Sequence, residues 1–158
     1  MVAAMLAPPD STTLALPTLA ATEALAARLA PLLRSGDVVL LQGQLGAGKT
    51  AFARALLRAL TGDPALDVPS PSFTLVQTYD TPAGPVHHYD LWRIDRADDL
   101  AELGLEEAVR DIALIEWPER LGETPPEALT ITLSIGPDDS RFASLSGSPT
   151  LLAGLASA

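Results

Sequence analysis

Apolar positions along the chain change period several times, and each change marks an expected element. Residues 11–16 read as a short first strand. Leu25, Leu29, Leu32 and Leu33 then share one face of a helix expected from about Leu19 to Leu33, closed by Arg34-Ser35-Gly36. Asp37–Gln42 is nearly all apolar with no alternation, which predicts a strand covered on both faces and central in a sheet. A glycine-rich loop, Gly43 to Gly48, leads into Lys49–Leu60, where Phe52, Leu56 and Leu60 return at helical spacing before Gly62. Thr61–Ser72 holds too much Pro, Gly and Asp for regular structure and is expected to be a mobile loop. Phe73–Tyr79 and Val86–Trp92 predict an antiparallel hairpin joined by a connection of about five or six residues. Helical turns are expected over 96–110, a second fully apolar strand at Ile112–Ile115, an alternating strand at Leu129–Ile135, and a partner for it at Arg141–Ser146. The Ala-rich stretch from Thr150 onward carries no clear signal, and there is no internal repeat.

Composition narrows the class. With 158 residues, 47% of them apolar, the chain is long and apolar enough for one globular domain, with its core expected at about residues 11–146. A formal charge of −10 has the wrong sign for coating a nucleic-acid backbone or an anionic membrane, so any contact with RNA is expected to be indirect. The absence of cysteine excludes disulfides, thiolate catalysis and cysteine-bound zinc. Residues 1–10 lack a basic region and break at Pro8-Pro9, which makes a poor signal peptide; Pro17, Glu23, Arg28 and Pro31 interrupt the following apolar stretch, which argues against a membrane span. A cytoplasmic location is the expectation. The ten basic residues are nine Arg and a single Lys, Lys49.

That lysine stands in Gly43-Gln44-Leu45-Gly46-Ala47-Gly48-Lys49-Thr50, which satisfies G-x-x-x-x-G-K-[ST] between an expected strand and an expected helix. Nucleotide phosphates need several converging backbone N–H donors, and Gly43, Gly46 and Gly48 let the chain turn without a Cβ in the way. The helix start adds its positive dipole end; Lys49 is suited to bridging the β- and γ-phosphates, and the Thr50 hydroxyl to ligating Mg²⁺. A chance match in a chain with one Lys has a probability of about one in a thousand.

Hydrolysis needs more than this loop: an acid on the metal side and a group that places the attacking water. Glu116, at the end of Ile112–Ile115, and Asp90, closing Val86–Tyr89, both end apolar runs and could serve; each could equally be an ordinary strand-end acid capping a turn. His87 and His88 alternate across one strand, and either alone is more often a packed or surface residue than a catalyst. Asp95, Asp98, Asp99, Glu102, Glu106 and Glu107 read as a solvated helical face.

Taken in order, Gly43–Thr50, Ser70-Pro71-Ser72-Phe73-Thr74, His88-Tyr89-Asp90-Leu91-Trp92-Arg93 and Glu116-Trp117-Pro118 resemble the motifs of the TsaE family, small bacterial P-loop ATPases needed to make threonylcarbamoyladenosine beside the tRNA anticodon. The resemblance covers roughly residues 11–146. Two positions depart from the family pattern: Ser72 stands where Thr is usual and keeps a hydroxyl, and Trp92 stands where Tyr is usual and loses the phenol. The resemblance implies an α/β P-loop NTPase fold, a central parallel sheet with added antiparallel strands and helices on both faces. It further implies ATP and Mg²⁺ as cofactors, Thr50 and Glu116 flanking the metal, Asp90 near the γ-phosphate, and a nucleotide-sensitive switch at Ser70, Ser72 and Thr74. More loosely, it places Thr22 and Arg141 near the adenosine end, and it implies TsaD and TsaB proteins as partners. A small-molecule kinase is a weaker alternative, because residues 61–72 carry no Arg or Lys for a lid. A GTP switch would need a second Lys for base recognition, and a nucleotide sensor with negligible turnover would look the same in sequence.

Overall fold

The computed structural model describes residues 12–157. Residue 11 of the expected first strand, the leader reading on residues 1–10, and Ala158 lie outside these. Seven strands form one sheet: β1 (Thr12–Ala15), β2 (Val38–Gln42), β3 (Val76–Thr81), β4 (Gly84–Asp90), β5 (Ile112–Glu116), β6 (Leu129–Ile135) and β7 (Arg141–Gly147), in the order β1-β7-β6-β2-β5-β4-β3. Strands β6, β2, β5 and β4 run parallel. The flanking strands β7, β1 and β3 are antiparallel to their neighbours, as the family resemblance implied.

The unbroken apolar runs take the central places. All five residues of β5 and four of the five of β2 are buried, because helices cover both faces. On one face lie α1 (Leu19–Leu29), α2 (Lys49–Thr61) and α5 (Pro149–Ser157), packed on Val39, Leu41, Leu114, Leu129 and Ile131. On the other lie the short helices α3 (Ala97–Ala101) and α4 (Leu105–Ala108) and a 3-10 turn at Pro118–Leu121, over Val38, Leu40, Tyr89, Ala113 and Ile115.

Three boundaries differ from the sequence expectation. Helix α1 stops at Leu29 and tightens into a 3-10 turn at Ala30–Leu32, since Pro31 has no N–H to return to the preceding turn. The hairpin starts at Val76 and closes through only Pro82-Ala83, with Thr81 Oγ1 donating to the Gly84 carbonyl at 2.8 Å. Residues 71–74 instead form a turn, closed by Leu75 N–H on the Pro71 carbonyl at 2.7 Å, with Leu75 at φ 69°. The chain end also gains structure: Leu151 and Leu155 of α5 are buried, the Ser148 hydroxyl accepts from Leu151 N–H, and Arg28 donates to the Leu155 carbonyl. The segment after α2 is irregular as expected, and is fastened by buried Val68 and by Arg58 Nε donating to the Leu66 carbonyl at 2.9 Å.

Candidate functional site

The carboxyl ends of β2, β4 and β5 meet at the N-terminus of α2, the place where open α/β sheets bind ligands. The loop between β2 and α2 takes the left-handed conformations that its glycines permit, with φ 146° at Gly43, 81° at Gly46 and 108° at Gly48. Gly43 is constrained by space as well: a Cβ there would sit 2.5 Å from the Leu133 carbonyl oxygen of β6. Ala47 is buried beneath the loop, while Leu45 is exposed at its tip.

Register brings the acids together. Asp90 and Glu116 are direct partners across the parallel β4–β5 ladder, and both are buried. The Thr50 hydroxyl donates to Glu116 Oε1 at 3.2 Å. Asp90 is held at both oxygens, Oδ1 accepting from Trp92 N–H at 3.0 Å and Oδ2 from the Ser72 hydroxyl at 3.2 Å. Ser72 in turn lies 2.8 Å from the Ser70 hydroxyl. Thr74 does not reach this group; its hydroxyl accepts from Gln77 Nε2. Thr50, Ser72, Asp90 and Glu116 line a cavity of about 270 Å³ with Lys49 and Trp117.

Lys49 folds back over its own loop, donating to the carbonyls of Gly43 and Gln44, with its ammonium 4.1 Å from the centre of the Trp117 ring. Burial lowers its pKa below the ordinary value of 10.5, and the charges of Glu116, Glu119 and Asp90 oppose that shift. Trp117 reaches the lysine because its backbone is left-handed, φ 59° and ψ 52°, which for an ordinary L-residue costs about 1–2 kcal/mol. The Trp92 indole leans on it at 4.4 Å between ring centres.

A second cavity, about 320 Å³, opens on the other side of the phosphate loop between the start of α1 and β7. Thr22, Ala47, Gly48, Leu133, Asp139 and Arg141 are among its walls. Arg141 also donates to the Gly46 carbonyl at 2.6 Å, tying β7 to the loop. Thr22 and Arg141 are thus placed together, beside the loop rather than among the acids.

The sequence reading favoured a packed or surface place for His88 and gave it no chemical role. Its ring is fully buried, and Nε2 lies 2.7 Å from Glu116 Oε2. The signal was available: on a strand of period two, His88 shares a face with Asp90, whereas His87 points the opposite way and contacts Thr78 and Asp111.

Known proteins share the sequence and the fold of this chain over most of its length. A family model described as "Threonylcarbamoyl adenosine biosynthesis protein TsaE" matches residues 16–142. The chain belongs to the TsaE family. It is 39% identical over 127 residues to the tRNA threonylcarbamoyladenosine biosynthesis protein TsaE of Rickettsia felis, covering 78% of this chain and 73% of that one. Against the TsaE of Bacillus subtilis it is 36% identical over 123 residues, or 76% and 75% of the two chains. The crystal structure of Bacillus subtilis YdiB superposes with a TM-score of 0.75 at 27% identity, covering 94% of this chain and 93% of that one. The fold is therefore the α/β P-loop NTPase fold of TsaE proteins, and the family's role is in tRNA threonylcarbamoyladenosine biosynthesis. Among the described residues no helix is long and apolar enough to cross a membrane.

Proposed function

We propose that this protein is a Mg²⁺-dependent ATPase that acts on a partner protein complex, the TsaD and TsaB proteins by family resemblance, during threonylcarbamoyl modification of tRNA. One observation carries the reading: the Thr50 hydroxyl and the Glu116 carboxylate meet at the foot of the phosphate loop, with Asp90 beside them in register. Mg²⁺ takes few ligands from protein and the rest from phosphate and water, so one hydroxyl and one carboxylate suit it.

In this reading the N–H groups of residues 46–50 and the dipole of α2 hold the phosphates. Lys49 leaves the Gly43 and Gln44 carbonyls to meet the β- and γ-phosphates. Thr50 and Glu116 hold the ion, which when bound supplies neutralisation of charge on the phosphate oxygens. Asp90, fixed by Trp92 N–H and Ser72, orients the attacking water. The second cavity takes the adenosine, beside Thr22 and Arg141. Ser72, one hydrogen bond from Asp90, and Ser70, one further along, carry the nucleotide state outward through the 70–75 turn to exposed Phe73. The −10 charge of the chain leaves the tRNA to the partner.

The test is steady-state ATP hydrolysis with Mg²⁺ or EDTA, alone and with the two partners. Mg²⁺-dependent turnover that rises with partners is expected; Glu116→Ala should lose it by about 10²–10³-fold while retaining some nucleotide affinity. Equal turnover in EDTA, or in Glu116→Ala, would sink the reading.

A further inference from the structure

We propose that His88 is the positioning residue for Glu116: through Nε2–H it fixes the carboxylate in the one orientation that presents Oε1 to Thr50 and the metal side of the site. The inference rests on the Mg²⁺-ATPase reading of the site and extends it to a residue outside the phosphate loop and the acid pair.

The two oxygens of Glu116 have separate partners. Oε1 accepts from Thr50 Oγ1 at 3.2 Å and Oε2 faces His88 Nε2 at 2.7 Å. An unprotonated ring nitrogen at that distance would set its lone pair against a carboxylate, so Nε2 carries the proton and donates. The other nitrogen, Nδ1, is buried with no hydrogen-bond partner. The ring is therefore anchored through one polar contact, and that contact is Glu116. Its orientation is otherwise set by packing, since the side chain is wholly buried.

A hydrogen-bonded neighbour that orients a ligating group without touching the ion commonly changes metal affinity or activity by 10–100-fold. Without His88, Glu116 has free torsions beside Lys49 and can swing Oε1 off Thr50. Loss of His88 should then weaken the response to Mg²⁺ and leave Mg²⁺-free nucleotide binding, which depends on the loop N–H groups and Lys49, close to its original strength.

Geometry supplies a rescue. A Gln amide nitrogen lies at about the reach of Nε2, whereas an Asn amide nitrogen lies at about that of Nδ1, which faces away from Glu116. His88→Gln should keep the Mg²⁺ response to within a few-fold, while His88→Asn and His88→Ala lose about tenfold or more.

The experiment titrates Mg²⁺ into each protein with a non-hydrolysable ATP analogue, following the fluorescence of Trp92 and Trp117. In parallel, ring ¹⁵N shifts of ligand-free wild type and Glu116→Gln report which nitrogen of His88 bears the proton and whether its environment depends on the carboxylate. Circular dichroism checks that each variant is folded. A Mg²⁺ midpoint raised tenfold in His88→Asn but not in His88→Gln, with an Nε2–H ring that responds to Glu116→Gln, is the expected result. A wild-type midpoint in folded His88→Asn, or a ring protonated only at Nδ1, would overturn the positioning role. Failure of the ATPase reading looks different: wild type itself would then show no Mg²⁺-dependent nucleotide binding.

Discussion

Lys49, which the proposed chemistry needs, is also a side chain whose burial costs stability. Its pKa is lowered chiefly by burial, so the folded chain binds that proton less tightly than the unfolded one. Between the lowered value and about 10.5 the unfolded chain holds more protons, and stability rises with pH. Below that window the charged form carries a constant burial cost. Lys49→Met is accordingly expected to abolish ATP turnover while leaving the Tm at neutral pH equal or higher, and to remove the alkaline rise expected of wild type. Burial raises the pKa values of Tyr79 and Tyr89 above 10.0, so their contribution is lost as pH climbs past that value, equally in both proteins. A Tm lowered by Lys49→Met would mean that the contacts with Gly43, Gln44 and Trp117 outweigh desolvation. Gly43 carries a plainer prediction. Its Cβ would overlap the Leu133 carbonyl, so Gly43→Ala should destabilise by about 1–3 kcal/mol in denaturant unfolding and weaken nucleotide binding. The grouping of the loop glycines, Lys49 and the strand-end acids was legible because the loop matches a spacing that suits phosphates and both acids end apolar strands, while the choice of Asp90 and Glu116 over ordinary turn caps came from the family resemblance. His88 was not singled out: the period of the strand put it on the face of Asp90, but its partner Glu116 lies 28 residues away, across the β4–β5 register.

At the scale of elements, the legible parts were those whose apolar pattern matches their burial. Strands β2 and β5 read as buried because no position in them could face water, and β6 read as one-sided because Leu129, Ile131 and Leu133 alternate with polar or less buried residues. Helix α5 escaped the reading because Ala and Leu dominate it and no polar face marks a period. Its signs were Ser148 before Pro149, a cap followed by a first-turn proline, and Leu151 and Leu155 one turn apart. The hairpin boundary was misplaced for a different reason: Leu75 is left-handed, a conformation that no residue-type signal announces for Leu. Helix α5 is also fitted closely, since a Cβ at Gly154 would stand 2.9 Å from Leu32 Cδ1. Leu155→Ala should therefore cost about 2–5 kcal/mol, read as a lowered denaturant midpoint, because it empties a buried position at the helix that closes the core. A change under about 0.5 kcal/mol would show that α5 contributes little to folding.

Across the whole molecule, the sites of chemistry and the exposed apolar groups lie together. Phe73 is 81% exposed with the Arg93 guanidinium 4.3 Å from its ring centre, and Trp92, next to that arginine, is 42% exposed at the mouth of the phosphate cavity beneath Arg120. Phe73 follows Ser72, whose hydroxyl holds Asp90, so the segment proposed to sense the reacting end of the nucleotide also presents the most exposed aromatic ring among the large hydrophobic side chains. An exposed aromatic of this kind adds little to folding, and surface truncations of this type usually change stability by under about 0.5 kcal/mol. Phe73→Ala is therefore expected to leave Tm, Mg²⁺-dependent nucleotide binding and basal hydrolysis near wild type, and to remove most of the rise in turnover proposed for the TsaD and TsaB proteins. Hydrolysis rates across a partner titration, with binding of labelled partner measured in the ADP and ATP-analogue states, separate the two effects. If Phe73→Ala retains full stimulation, the partner reads some other surface. If instead basal turnover falls with it, the ring acts through Ser72 on Asp90, and the 70–75 turn belongs to the catalytic machinery rather than to its output.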